Sequence, residues 1–316
     1  MMKELSTADV ESLVQAKVQV KPLSLSYIGG GFYGRVFLVK LAEPPYEVVV
    51  KCYLQEGLHR KEQAQLALLA KHGTLPMPCV YEVHDKNAQI PFDALIMEYM
   101  GGVNAGGVRE WPTESKLRVA NDIVDNLIAY HQVVNPAGFG EIGEAHFEKD
   151  WRVYYKRQVE VTVYKARIMV ETGKLPQQVY QIAVRAYEQY EEIFSIPVEQ
   201  ACLIHGDYNT WNILLHPDLT SVAAAIDPYK CSYADPELDL YQLNQANGKE
   251  LGLLELYRAK RKLSPNAEVK MALYRMFTEI MHYYDAAAVG TEPVLLAEAE
   301  QLAEEMERWS LINKGQ

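Results

Sequence analysis

Leu203-Ile204-His205-Gly206-Asp207-Tyr208-Asn209-Thr210-Trp211-Asn212-Ile213-Leu214-Leu215 sets a polar loop between two short apolar runs. The pattern predicts two short strands holding a rigid turn that displays His205, Asp207 and Asn212. Ala224-Ala225-Ile226-Asp227-Pro228 repeats the device, with an acidic residue closing an apolar run. Phosphoryl transfer to a hydroxyl needs one carboxylate to take the hydroxyl proton. In one scheme for this chemistry, an Asn five residues after that carboxylate and a further Asp hold the Mg²⁺ that bridges nucleotide phosphates. Asp207, Asn212 and Asp227 have that order and spacing. Asp207 is the candidate base, and Asn212 and Asp227 are the candidate metal ligands. His205 reads as structural, hydrogen-bonding near Asp227.

Working back along the chain, Gly29-Gly30-Gly31-Phe32-Tyr33-Gly34-Arg35-Val36 matches G-x-G-x-x-G-x-V between two strand-like runs. Gly29, Gly31 and Gly34 allow a sharp bend and a close approach to phosphates, and Val36 follows on the next strand. A strand after the loop argues against a dinucleotide-binding turn, whose last glycine opens a helix. Lys51 ends Val48-Val49-Val50, and an ammonium leaving a buried strand needs an anionic partner. On the following helical run, Leu66 and Leu69 continue an apolar stripe from Glu62. That spacing aims Glu62 at Lys51 in preference to Glu56, and gives the Lys–Glu pair that kinases require.

The pattern changes along the chain. A short helix at 7–17 precedes β-rich runs at 24–28, 35–39, 46–53, 80–84 and 94–99, with one helix at 59–72. Gly101-Gly102, with further glycines close behind, marks a boundary. Beyond it, helices are expected at 116–133, 151–172, 178–194, 237–247, 250–262, 265–288 and 293–312. The predicted architecture is a two-lobed α+β fold. Residues 1–100 form a small antiparallel β lobe with one helix, and residues 101–316 form a large, mainly α lobe carrying the catalytic loop. Asp239, at a helix start, is expected to accept backbone N–H groups of that loop. Asp235 reads as a helix cap.

The chain has 316 residues, 49% hydrophobic and 23% charged, enough for a full core and with little expected disorder. A net charge of −11 argues against non-specific nucleic-acid binding and is compatible with a cationic small-molecule substrate. Cys52, Cys79, Cys202 and Cys231 form no CxxC pair, so no zinc site is expected. The first residues lack the apolar core of a signal peptide, and no apolar run approaches the length of a membrane span. The default expectation is therefore a cytoplasmic protein.

Together, Gly29–Val36, Lys51, Glu62, Leu203–Leu215 and Ile226–Leu240 resemble the aminoglycoside phosphotransferase-like kinases, a superfamily with the protein-kinase fold. The resemblance implies ATP between the lobes, its adenine on hinge backbone near Glu98 to Met100, with Asp207 as base and Asn212 and Asp227 on Mg²⁺. Asp235-Pro236 with Asp239 is similar to the antibiotic-kinase pattern. Pro228, and Trp151 with Tyr154, Tyr155 and Gln158, are more similar to the fructosamine/ketosamine kinases. Those usually carry Trp two residues after the Asp and Gly before the Asn, where this chain has Asn209 and Trp211. The expected activity is phosphorylation of a hydroxyl on a small, amino-bearing, sugar-like molecule. The alternatives are a ketosamine kinase and a catalytically silent nucleotide-binding protein. Asp150, Trp151, Tyr155, Glu279, Tyr283 and Asp285 are substrate-contact candidates by side-chain type. No Ala-Pro-Glu follows Asp227, which argues against a polypeptide substrate.

Overall fold

The computed structural model describes residues 6–31, 33–286 and 292–315. Phe32 of the glycine loop, residues 1–5, and the end of the helix expected at 265–288 lie outside the described residues. Helix α1 (Thr7–Val18) opens on Ser6, whose side chain accepts the Asp9 N–H while the Asp9 carboxylate accepts the Ser6 N–H. This reciprocal cap satisfies donors that a helix start leaves unpaired. Five antiparallel strands follow: β1 (Pro22–Gly29), β2 (Gly34–Leu41), β3 (Glu47–Tyr53), β4 (Val80–His84) and β5 (Asp93–Glu98). Their order in the sheet is β1-β2-β3-β5-β4. Helix α2 (Leu58–His72) is inserted between β3 and β4.

Strand alternation divides the sheet's two faces. Val48, Val50, Cys52, Ala94 and Ile96 pack with Val10, Leu13 and Val14, the i, i+3, i+4 stripe of α1. Tyr53, Leu95 and Met97 point the other way and join Leu66 and Leu69 of α2 in the main core. Full burial of each aliphatic side chain contributes ~2 kcal/mol. By the same alternation, Lys51 leaves the sheet on the α2 face.

Past a short strand β6 (Val103–Asn104), the chain is built on helices. These are α3 (Thr113–His131), α4 (Trp151–Glu171), α5 (Gln177–Glu188) and α6 (Tyr190–Ile193), with β7 (Gly140–Glu141) before α4. Then come β8 (Cys202–Ile204), β9 (Ile213–Leu215), β10 (Val222–Ala225) and β11 (Ser232–Ala234). Last are α7 (Glu237–Leu240), α8 (Gly248–Leu251), α9 (Leu253–Lys260), α10 (Ala267–Ala286) and α11 (Glu292–Lys314). Two three-stranded sheets, β10-β9-β6 and β7-β11-β8, hold the ends of the polar loop. No helix among the described residues is long and apolar enough to cross a membrane.

Four expected helices differ. The run at 178–194 is parted at Gln189 into α5 and α6, and that at 237–247 is α7 followed by a 3-10 turn at Tyr241–Asn244. The run at 250–262 is split by Gly252, which lies in the left-handed region and breaks it into α8 and α9. Ser264-Pro265 does not start α10, which begins at Ala267. The Ser264 N–H and hydroxyl instead donate to Glu237, at 2.8 and 2.9 Å.

Candidate active site

The loop between β8 and β9 is held from beneath. Asp239, fully buried on α7, accepts the backbone N–H of His205 and of Gly206, both at 2.8 Å, as its place at a helix start suggested. His131 of α3 supports the same carboxylate at 3.3 Å. Gly206 has φ +83°, and a Cβ there would lie 2.6 Å from the Lys230 carbonyl carbon. Only glycine fits both the left-handed turn and the close passage of the 226–231 segment. Tyr208 anchors the loop to α3. Its hydroxyl donates to the Ile123 carbonyl (2.9 Å) and accepts from Asn126 (2.9 Å).

These anchors present Asp207 between two amides. Asn212 Nδ2 donates to Asp207 Oδ2 and Asn209 Nδ2 donates to Oδ1, both at 2.7 Å. Asn209 Oδ1 in turn accepts the Trp211 N–H at 2.9 Å, which fixes the amide's orientation. Burial and the nearby Asp227 charge push the Asp207 carboxyl up to about 6, although the two amides favour its ionised form. Burial pulls His205 down to about 4. A neutral ring whose Nδ1 accepts the Asp207 N–H (3.3 Å) acts as a loop brace and not as a proton carrier.

Asp227 follows β10 in the left-handed region, φ 57°, a conformation that non-glycine residues adopt at a cost of ~1–3 kcal/mol. The turn sets its carboxylate on the floor of the cleft, where 53% of the side chain is still exposed. Lys51 bridges the two lobes there. Its Nζ lies 2.9 Å from Glu62 and 2.5 Å from Asp227 Oδ1. Burial disfavours the ammonium, but Glu62 and Asp227 together more than offset it and raise its pKa. Against burial, Lys51 likewise holds Asp227 below the usual carboxylate range. Glu56, the other carboxylate considered for Lys51, pairs with Lys86 on the surface (2.7 Å).

The glycine loop joins β1 to β2 with Gly29 at the end of one strand and Gly34 at the start of the next. A Cβ on Gly34 would sit 3.6 Å from Lys51 Cγ, so the loop and the lysine are immediate neighbours. Val36 pairs with Lys51 across the ladder. At the hinge, Glu98 N–H is taken by the Cys79 carbonyl (2.8 Å) and its carboxylate accepts the Cys79 N–H (3.3 Å). The Met100 side chain packs with Leu214 and Ala224.

Of the substrate-contact candidates, Glu279, Tyr283 and Asp285 share α10, while Asp150, Trp151 and Tyr155 are engaged within the fold. Trp151 and Tyr155 are core residues, 1% and 4% exposed, locked into an aromatic cluster with Tyr274 and Phe194. Asp150 caps α4 and binds Arg152. Asp285 alone among them reaches the glycine loop, accepting from the Tyr33 hydroxyl at 3.4 Å. Two functional neighbours were not singled out from sequence. The Tyr53 hydroxyl donates to Glu62 Oε2 (2.8 Å) and so fixes the partner of Lys51. Asn209 holds Asp207 as described above. The i, i+2 relation of Tyr53 to Lys51 on one strand face was the available signal for the first.

The residues fit a divalent cation. Asn212 directs its N–H toward Asp207, which leaves its carbonyl oxygen available. Asp227 offers Oδ2, while the Lys51 ammonium already occupies Oδ1 as a stand-in cation. A Mg²⁺ held there would neutralise charge on transferring phosphates.

The sequence pattern of the phosphotransferase enzyme family matches residues 24–274. The uncharacterized protein YcbJ of Escherichia coli (strain K12) is 24% identical over 236 residues, 75% of this chain and 78% of that protein. Among solved structures, a candidate fructosamine-3-kinase from Thermobifida fusca YX-ER1 superposes with TM-score 0.68 at 18% identity, covering 95% of this chain and 100% of that one. The gentamicin complex of APH(2")-IIa gives 0.65 at 17%, covering 96% and 97%. The GDP complex of aminoglycoside 2'-phosphotransferase-IIIa gives 0.65 at 15%, covering 96% and 99%. The likeness of these structures is one of fold, and the match over 24–274 takes in most of the sequence. The chain therefore belongs to the phosphotransferase enzyme family, the small-molecule kinases built on the two-lobed kinase-like fold.

Proposed function

We propose that this protein transfers the γ-phosphoryl group of ATP, held with Mg²⁺, to a hydroxyl of a small sugar-like molecule in the cytoplasm. The observation that carries the reading is the convergence on one cleft of Lys51 with Asp207, Asn212 and Asp227, the last of them 176 positions further along the chain. Residues 1–100 act as the nucleotide lobe. Gly29, Gly31, Gly34 and Val36 cover the phosphates, Lys51 holds them, and Glu62 orients Lys51. The hinge backbone from Glu98 to Met100 receives the adenine. Residues 101–316 carry the metal ligands Asn212 and Asp227 and the base Asp207. A carboxylate fixed by two amides takes the acceptor proton as the hydroxyl attacks, so positioning supplies most of the catalysis.

The neighbours described as fructosamine-3-kinases and aminoglycoside phosphotransferases suggest an amino-bearing sugar or a ketosamine as acceptor. The test is ADP release from ATP and Mg²⁺ with aminoglycosides, ketosamines and simple amino sugars, beside the Asp207→Asn variant. Acceptor-dependent release that the variant lacks supports the reading. Nucleotide binding without transfer to any acceptor would instead favour a silent nucleotide-binding protein.

A further inference from the structure

The loop that carries Asp207 also carries an indole that the transfer chemistry does not use. Trp211 stands between Thr210 and Asn212, both buried, yet is itself 54% exposed. Its ring rests on the short 3-10 turn Ala105–Gly107 that follows β6. A Cβ on Gly106 would lie 2.7 Å from Trp211 Cδ2 and 3.1 Å from both Cε2 and Cε3. Cδ2 is a ring-fusion carbon, and ring bonds take all three of its in-plane directions. Equal distances to its two neighbours in the six-membered ring therefore put Gly106 over the face of the indole, close to the ring normal. Neither Gly106 nor Gly107 has a left-handed backbone, so conformation does not call for glycine here; the close approach of the ring does. With that face covered, the exposed area of Trp211 belongs to the opposite face and the ring edge.

The support is built, and it is tied to the proposed base. Asn247, just before α8, donates from Nδ2 to the carbonyls of Ala105 (2.9 Å) and Val108 (2.6 Å) and so holds both ends of the turn. Asn104 Nδ2 donates to the Trp211 carbonyl at 2.5 Å. The Trp211 N–H donates to Asn209 Oδ1, while Nδ2 of the same amide donates to Asp207. One side chain thus sets both the Asp207 carboxylate and the backbone from which the indole projects. The next residue, Asn212, holds Asp207 from the other side. An open indole face attracts the C–H face of a sugar ring by dispersion and an ammonium above it by its quadrupole. A ring lying on it would carry its hydroxyls at a fixed offset from Asp207, which is what transfer by positioning needs.

We propose that the open face of Trp211 stacks on the sugar ring of the acceptor and makes this residue a determinant of acceptor specificity. The inference rests on the phosphotransferase reading of the cleft and deepens it by naming a side chain that holds the acceptor.

Two measurements test it separately from that reading. The first is acrylamide quenching of intrinsic fluorescence in wild type and Trp211→Phe, with Mg²⁺ and a non-hydrolysable ATP analogue bound. Trp151 and Trp309 are buried and every other tryptophan is common to both proteins, so the difference between them reports Trp211. The probes are kanamycin, fructosyl-lysine and D-glucosamine, with ethanolamine as an amine that has no ring. At least one ring compound is expected to lower the wild-type quenching slope toward that of the variant, and ethanolamine to leave it unchanged. Shielding by the nucleotide analogue with no further change from the ring compounds, equal shielding by ethanolamine, or none at all overturns the proposal.

The second measurement is ADP release with the compound that shields. Trp211→Ala is expected to raise its KM about 10-fold with little change in kcat or in KM for ATP, and Trp211→Tyr to restore most of the loss. A fall in kcat at unmoved acceptor KM, or a loss that tyrosine does not restore, would make the indole a brace of the loop and overturn the proposal. Shielding without transfer would leave the stacking site standing and sink the phosphotransferase reading. Transfer with an acceptor KM that Trp211→Ala does not move would sink the stacking site alone.

Discussion

Asp207→Asn should abolish transfer yet stabilise the protein at alkaline pH. The wild-type carboxyl is pushed up to about 6 from an ordinary 3.8, first by burial and then by the Asp227 charge. A native group that holds its proton more tightly than the unfolded chain stabilises fully below the unfolded value. It loses that contribution as pH rises through the folded one. The gap corresponds to ~3 kcal/mol, an upper bound for a half-buried carboxylate. The amide gives part of this back. Asn209 and Asn212 both donate to Asp207, and an amide there presents one oxygen and one NH₂ to two donors, which costs ~1 kcal/mol. The variant should therefore gain ~1–2 kcal/mol at pH 8, raising Tm by about 1.5–3 °C. The assay is thermal unfolding in EDTA without nucleotide, at pH 8 and pH 4.5. The advantage should vanish or reverse at pH 4.5, where the wild-type carboxyl is itself protonated. A variant no more stable than wild type at pH 8 would refute the claim that Asp207 is held as a strained buried charge.

Three further substitutions follow from the same geometry. Asn209→Ala removes one of the two amides on Asp207 and should lower kcat about 10-fold with KM for ATP unchanged, as initial-rate kinetics would read; an unchanged kcat would show that Asn212 suffices. Lys51→Met leaves Glu62 with only the Tyr53 hydroxyl in a buried site, so nucleotide affinity in a fluorescence titration and Tm should fall together, the stability loss being ~3 kcal/mol. Lys270→Met strands Asp235 and Glu237, which lie 2.7 and 2.6 Å from an ammonium only 2% exposed; urea unfolding should show a loss of ~3–5 kcal/mol, and a smaller loss would mean the two acids share a proton in its place.

Much of this site was legible because it is built from local periodicities. Alternation in β3 assigns Lys51 and Tyr53 to one face, opposite Val48, Val50 and Cys52. The stripe through Leu66 and Leu69 brings Glu62, and not Glu56, under the sheet. The loop carrying Asp207 and Asn212 is fixed by its own spacing between two apolar runs. What sequence hid is of two kinds. An aromatic on a helix looks the same whether it faces a sugar or the core, and only α10 packing across α4 turns Trp151 and Tyr155 inward. Pairings between distant positions are the other kind. Lys270 with Asp235, Asn126 with Tyr208, and Tyr33 with Tyr229 depend on chain crossings that no local pattern encodes.

The charges of the cleft also order its parts. Asp207 and Asp227 face the same space, Asp239 lies directly beneath, and Glu62 stands behind Lys51. The Lys51 ammonium answers these acids from the sheet side, and it is divided between Glu62 and Asp227. Polyphosphate entering under the glycine loop would compete with both acids for Lys51, and Asp227 would be left to a cation arriving with the nucleotide. Neutralising Asp227 in that way would remove the largest of the charges that, after burial, raise Asp207, so on the proposed reading the base would become easier to ionise with its phosphoryl donor in place.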